Sequence, residues 1–135
     1  MPGALGTVVG RGEGSRFSFP PGNCGEVKAD HSSGLRFGFF RTELPTGTGM
    51  PFLHAHRSMD EAFQILEGSV EYRLGDRDVT AGPGDAVLVP QGTPHCFRAL
   101  GEQGAVLMLL AAPAEGIDMI VELSKAGLGS EPLRH

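Results

Sequence analysis

The stretch Gly49-Met-Pro-Phe-Leu-His54-Ala-His56-Arg-Ser-Met-Asp60-Glu61-Ala-Phe-Gln-Ile-Leu-Glu-Gly68 decides how this chain is read. His54 and His56 are two residues apart, so on an extended strand their side chains share a face. Glu61 begins a new β-like run. A second stretch, Gly84-Asp-Ala-Val-Leu-Val-Pro90-Gln-Gly92-Thr-Pro-His95, adds a third imidazole. Three imidazoles and one carboxylate are a ligand set for one divalent transition metal. They converge only if their strands wrap around a shared interior. Asp60 is the rival carboxylate, but it sits one residue before Glu61 and faces the other side of a strand.

Working outward, the remaining chain reads as a β-protein. Its 135 residues suit one domain that buries a core without disulfides. The 21 glycines and 10 prolines argue against a helix bundle, and short alternating runs favour a sandwich or barrel. Expected strands are Leu35–Leu44, Phe52–His56, Ala62–Leu66, Ser69–Leu74, Arg77–Thr80, Ala86–Val89, His95–Ala99 and Ala105–Ala111. Residues 1–34 read as an arm with short edge strands near Thr7–Val9 and Arg16–Phe19, residues 35–112 as the barrel, and residues 113–135 as a helix and tail. The run Gly10-Arg-Gly12-Glu-Gly14 neither follows a clear strand nor opens a helix, so it is a turn rather than a phosphate loop. Ile117, Ile120, Val121 and Leu123 have helical spacing, and Gly127 supplies a stop.

Charge and cysteine usage narrow the partners. Eleven basic residues against 16 acidic ones give a net charge of −5, which disfavours nucleic acid and anionic membrane. No apolar run reaches membrane-spanning length, and Met1-Pro-Gly-Ala-Leu-Gly6 lacks the parts of a signal peptide. Cys24 and Cys96 read as two free thiols of a cytoplasmic protein.

The two motifs resemble those of the cupin superfamily. The first pairs Gly49, His54, His56, Glu61 and Gly68; its gap from Gly49 to His54 is four residues where the common pattern has five. The second pairs Gly84, Pro90, Gly92 and His95, with Ala99 where Asn is common. Fifteen residues separate them, as in short microbial cupins. The resemblance implies an all-β fold, a cupin-type double-stranded β-helix (jelly-roll barrel) with a short C-terminal helix. In it Gly68, Gly84, Pro90 and Gly92 are turn residues. The wording around both motifs is similar to flavonol-dioxygenase-like and polyketide-cyclase-like members.

That resemblance implies a small-molecule enzyme using iron, nickel, manganese, copper or zinc at His54, His56, Glu61 and His95, with Glu61 also available as a general base if its pKa is raised. A dioxygenase-type oxidoreductase leads. A non-redox isomerase, epimerase or cyclase and a ligand-binding module without turnover are the alternatives. By parity Phe63, Ile65, Phe97 and Ala99 point inward with the ligands, Phe37 and Phe39 face them, and Met50, Phe52 and Met59 flank the cavity mouth. The substrate-binding expectation is therefore Phe37, Phe39, Met50, Phe52, Phe63, Ile65 and Phe97. Gln64 and Cys96 have outward parity, and Tyr72 is either core or a proton donor. His31 and His135 lie outside the motifs. The arm and the outward residues Phe40 and Leu66 suggest a homodimer.

Overall fold

The computed structural model describes residues 6–19 and 22–125. Residues 1–5 of the N-terminal reading, the helix stop at Gly127 and His135 lie outside the described residues.

Among the described residues ten strands form two antiparallel sheets. They are β1 (Ser15–Phe19), β2 (Asn23–Ala29), β3 (Gly38–Leu44), β4 (Gly49–His54), β5 (Asp60–Glu67), β6 (Ser69–Leu74), β7 (Arg77–Ala81), β8 (Ala86–Val89), β9 (His95–Leu100) and β10 (Ala105–Ala112). One sheet runs β1-β2-β3-β10-β5-β8 and the other β4-β9-β6-β7. A 3-10 turn, His31–Ser33, joins β2 to β3, and one helix, α1 (Glu115–Lys125), ends the described chain. This is the all-β jelly-roll with a short C-terminal helix.

Alternation builds the core. On β10 every second residue, Ala105, Leu107, Leu109 and Ala111, is buried against the opposite sheet. β5 does the same with Glu61, Phe63 and Ile65. Phe63, Tyr72 and Phe97 then meet edge-on or tilted, with ring centroids 5.1–5.4 Å apart. The sharp β5–β6 connection needs Gly68, whose φ is 76° and where a Cβ would run into the Gly104 carbonyl oxygen.

Two expectations are corrected. Thr7–Val9 forms no strand, whereas the arm contributes a full strand, β2, paired in register with β3 from Cys24↔Glu43 to Val27↔Phe40. Its alternation is carried by Asn23, Gly25, Val27 and Ala29, too mixed in polarity to read as a strand face. Phe40 is not outward: it is 4% exposed and packs edge-on against Phe17. The inward set on β3 is Gly38, Phe40, Thr42 and Leu44, because Gly38 sits against Ala29 and Ile117, where a Cβ would stand 2.5 Å from the Ala29 oxygen.

The larger sheet has two strands more than the smaller one, and α1 packs against its strands β1, β3 and β10. Ile117 of α1 is fully buried, and Gly116 lets the helix approach Met59, whose sulfur would lie 2.5 Å from a Cβ there. Among the described residues no helix is long and apolar enough to cross a membrane.

Candidate metal centre

Three strands deliver four side chains to one point. His54 ends β4, Glu61 is the second residue of β5, and His95 opens β9, directly opposite His54 in the ladder. His56 follows β4 by two residues. One ligand-type atom from each of the four lies within 4.8 Å of the others. His95 Nε2 is 2.9 Å and His56 Nε2 3.3 Å from Glu61 Oε1. The side chains of Glu61 and His95 are 3% and 1% exposed, and that of His56 13%, which makes His56 the solvent-side member.

The backbone sets the imidazole tautomers. His54 Nδ1 lies 2.9 Å from the Phe52 carbonyl and His95 Nδ1 2.8 Å from the Thr93 carbonyl. A carbonyl only accepts, so each Nδ1 donates, leaving Nε2 as the nitrogen each ring can offer the cluster. His95 Nε2 stands next to Glu61 Oε1. The separation is short, yet neither atom has a hydrogen-bond partner. Buried polar atoms without a partner are costly, and a cation held by both would satisfy them. The donor set and these orphaned atoms fit a divalent metal.

Electrostatics agrees. Burial lowers the His54 imidazole to about 4, overriding the Phe52 hydrogen bond, so that ring is neutral and ligand-ready at neutral pH. Burial alone would raise the Glu61 carboxyl, but the His56 and His95 imidazoles outweigh it and hold it down to about 2.

The loops carrying the ligands are tied together. Gly92 N–H donates to the His56 carbonyl at 2.8 Å, and Gln91 N–H donates to Asp60 Oδ1 at 2.8 Å. The Gln91 side-chain amide also donates to the Arg57 carbonyl. Asp60 is thus exposed and holds the second motif against the first, while Glu61 turns inward. Pro90 follows the last residue of β8, and Gly84 N–H donates to the Ile65 carbonyl at 2.9 Å in the turn before it.

An apolar cavity of about 50 Å³ adjoins the cluster. Of the expected substrate residues, Met50 and Phe97 line it together with His54, His56 and Glu61. Phe63 and Ile65 point inward but are buried in the core, and Phe52 is half-buried outside the lining. Phe37 and Phe39 are corrected: Phe37 is exposed, Phe39 is on the outer face of β3, and the two rings stack on each other. Phe40, Thr42 and Leu44 line the cavity in their place. The signal was present: Arg41 and Glu43 alternate with them and mark the outer face. Leu107 and Leu109 of β10 and Ile120 and Leu123 of α1 complete the walls; helical spacing marks Ile120 and Leu123 as an apolar face without placing them at the cavity.

Tyr72 is fully buried and outside the cavity lining; burial first, then the Glu61 charge, pushes its phenol up. Gln64 is on the outer face and donates to the Gly84 carbonyl. Cys96 is half-buried and outside the cluster; it and Cys24 are free thiols.

The family model for the cupin domain matches residues 40–111. The chain belongs to the cupin family. It is 30% identical over 87 residues to the quercetin 2,3-dioxygenase of Bacillus subtilis (strain 168), covering 64% of this chain and 26% of that protein. The chain thus spans about a quarter of that curated relative. Among solved structures, KdgF from Halomonas sp. superposes with a TM-score of 0.70 at 22% identity, over 81% of this chain and 94% of that one. A sugar phosphate isomerase of the cupin superfamily from Silicibacter pomeroyi gives 0.64 at 19% identity, over 73% and 70%. These two likenesses speak for the cupin fold alone.

Proposed function

We propose that this cupin is a metal-dependent small-molecule enzyme of the dioxygenase type, with His54, His56, Glu61 and His95 as its ligands. The observation that carries this reading is a pair of buried atoms without hydrogen-bond partners, Glu61 Oε1 and His95 Nε2, 2.9 Å apart in the cluster. The similarity to a quercetin dioxygenase supports the redox assignment over an isomerase or cyclase. A bound iron, nickel, manganese or copper ion supplies Lewis acidity and an electron route, whereas zinc supplies only the first.

The chain's own contribution is orientation and exclusion of water. The Phe52 and Thr93 carbonyls fix the rings of His54 and His95. The apolar walls keep the space beside the cluster dry, which strengthens electrostatic interactions there. Glu61 is held low, opposite to the direction a general base needs, so its role in this reading is that of an anionic ligand. Leu66 and Leu88, 39% and 70% exposed on the outer face of the larger sheet, support a homodimer packed on that face.

Elemental analysis of protein purified without added metal or chelator tests the reading, with His54→Ala/His95→Ala as control. Near-stoichiometric iron, nickel, manganese or copper, absent from the control, is the expected result. Zinc at that level moves the assignment to non-redox chemistry. Failure to retain any of the five ions after reconstitution overturns it and leaves a ligand-binding barrel.

A further inference from the structure

The cavity beside the ligand cluster is polar at one end only. Outside His54, His56 and Glu61, the only polar side chain among its described lining residues is Thr42. The Thr42 hydroxyl already donates to the Cys24 carbonyl at 2.8 Å, so it offers the cavity no proton. Phe40, Leu107 and Leu109 form one wall and Phe97 another. A polyhydroxylated substrate body there would leave its hydroxyls unmatched, each costing about tenfold in affinity.

The third wall comes from outside the family-matched span. Ile120 and Leu123 lie on α1, three and six residues past the fully buried Ile117. The helix cannot settle deeper, because Gly38 already touches Ile117 and Gly116 already touches Met59. With this wall in place the cavity is about 50 Å³, well below the roughly 150 Å³ of an apolar cavity that admits a benzene ring.

We propose that the site takes a substrate with an oxygen-bearing head and a short apolar body of a few carbons, and that Ile120 and Leu123 set its size limit. The proposal rests on the metal-centre reading, since the head is to be held at the ligand cluster. It separates this chain from an enzyme acting on a flavonol-sized body, which is several times larger than the space available.

A hydroxamate series tests it, because the head stays constant while the body changes. Calorimetry on zinc-reconstituted protein compares acetohydroxamate, butyrohydroxamate, benzohydroxamate and gluconohydroxamate. Butyrohydroxamate is expected to bind about 15-fold more tightly than acetohydroxamate, since each of its two extra methylenes contributes about fourfold when buried. Benzohydroxamate is expected to fall below butyrohydroxamate, and gluconohydroxamate to be at least about tenfold weaker.

In Ile120→Ala/Leu123→Ala the order of butyrohydroxamate and benzohydroxamate should reverse. Ile120→Phe, which fills the space, should weaken butyrohydroxamate more than acetohydroxamate; it keeps the test alive if the double variant does not fold. Zinc content is measured on every sample. Protein that holds no zinc defeats the metal-centre reading. Protein that holds zinc but binds gluconohydroxamate as well as butyrohydroxamate overturns the substrate class. Zinc-loaded variants with an unchanged butyro-to-benzo preference overturn the role of α1.

Discussion

Among the described residues two clusters bring several ligand-type side chains within 4.8 Å of one another, and they differ in a way that proximity does not reveal. His54, His56, Glu61 and His95 are drawn from the barrel interior, and two of their buried polar atoms have no hydrogen-bond partner. Asp30, His31 and Asp118 lie at the surface and satisfy one another and the backbone. His31 donates to Asp118 from Nδ1 at 2.9 Å and from its backbone N–H at 3.2 Å. Asp30 accepts from the Ser32 N–H and hydroxyl at 2.9 and 2.6 Å while capping the 3-10 turn. The surface cluster is a clasp between that turn and α1. The buried one is a His/His/Glu/His set that could hold a metal ion. Unsatisfied burial, more than closeness, separates a site from a fastening.

The sharpest way to break this contrast is to remove ligands from each cluster. Changing a partner behind a metal ligand already costs about 10- to 100-fold in affinity, so His54→Ala/His95→Ala should lose more than that and purify without metal. His31→Ala should leave the metal content unchanged. Metal loss in the His31 variant, measured by elemental analysis, would show that the surface cluster is a site after all.

The packing beneath the clusters sharpens it further. Phe63 underlies the buried cluster and touches Tyr72 and Phe97. Phe63→Ala should lower unfolding stability by about 3–5 kcal/mol in chemical denaturation. A loss under about 1 kcal/mol would mean that the aromatic floor is not what holds β5 in place. Tyr72 has a fully buried hydroxyl with no hydrogen-bond partner. Tyr72→Phe should therefore be neutral or stabilising by up to about 1 kcal/mol, and should keep its metal. Clear destabilisation would show that the hydroxyl has a partner.

The smallest effect belongs to the clasp. The Asp118 hydrogen bond, then its charge, raises the His31 imidazole above its ordinary 6.5, with Asp30 and Glu115 adding to it. A folded value above the unfolded one means that the contribution is complete below about pH 6.5 and is lost as pH rises through the folded value. The melting-temperature difference between wild type and His31→Ala should thus be larger at pH 5.5 than at pH 8.5. Because His31 is at the surface, the change should be slight and should shrink in high salt. The reverse pH order would disprove the pairing.

Much of the site was legible because its signals are local. Parity placed Phe63 and Ile65 inward with Glu61 and turned Gln64 and Cys96 away from the cluster. It failed on β3, where counting began at Leu35 although the strand begins at Gly38. A shift of one residue exchanges the faces, so Phe37 and Phe39 were taken for Phe40, Thr42 and Leu44. Strand β2 escaped because a sequence with Asn23 and Gly25 at its inward positions has no apolar period.

By itself the sequence determined the strand-rich class, the four candidate ligands and the turns between strands. Each rests on residue type and spacing within one or two motifs. Tertiary structure alone decided what surrounds those ligands. Pairing between strands distant in the chain set His95 opposite His54, aimed the Phe52 and Thr93 carbonyls at the imidazoles, and orphaned Glu61 Oε1. It also brought Ile120 and Leu123 to a cavity whose other walls begin at Phe40. The physical reason is that hydrogen-bond register and side-chain packing act between residues far apart in sequence, where no local period records them.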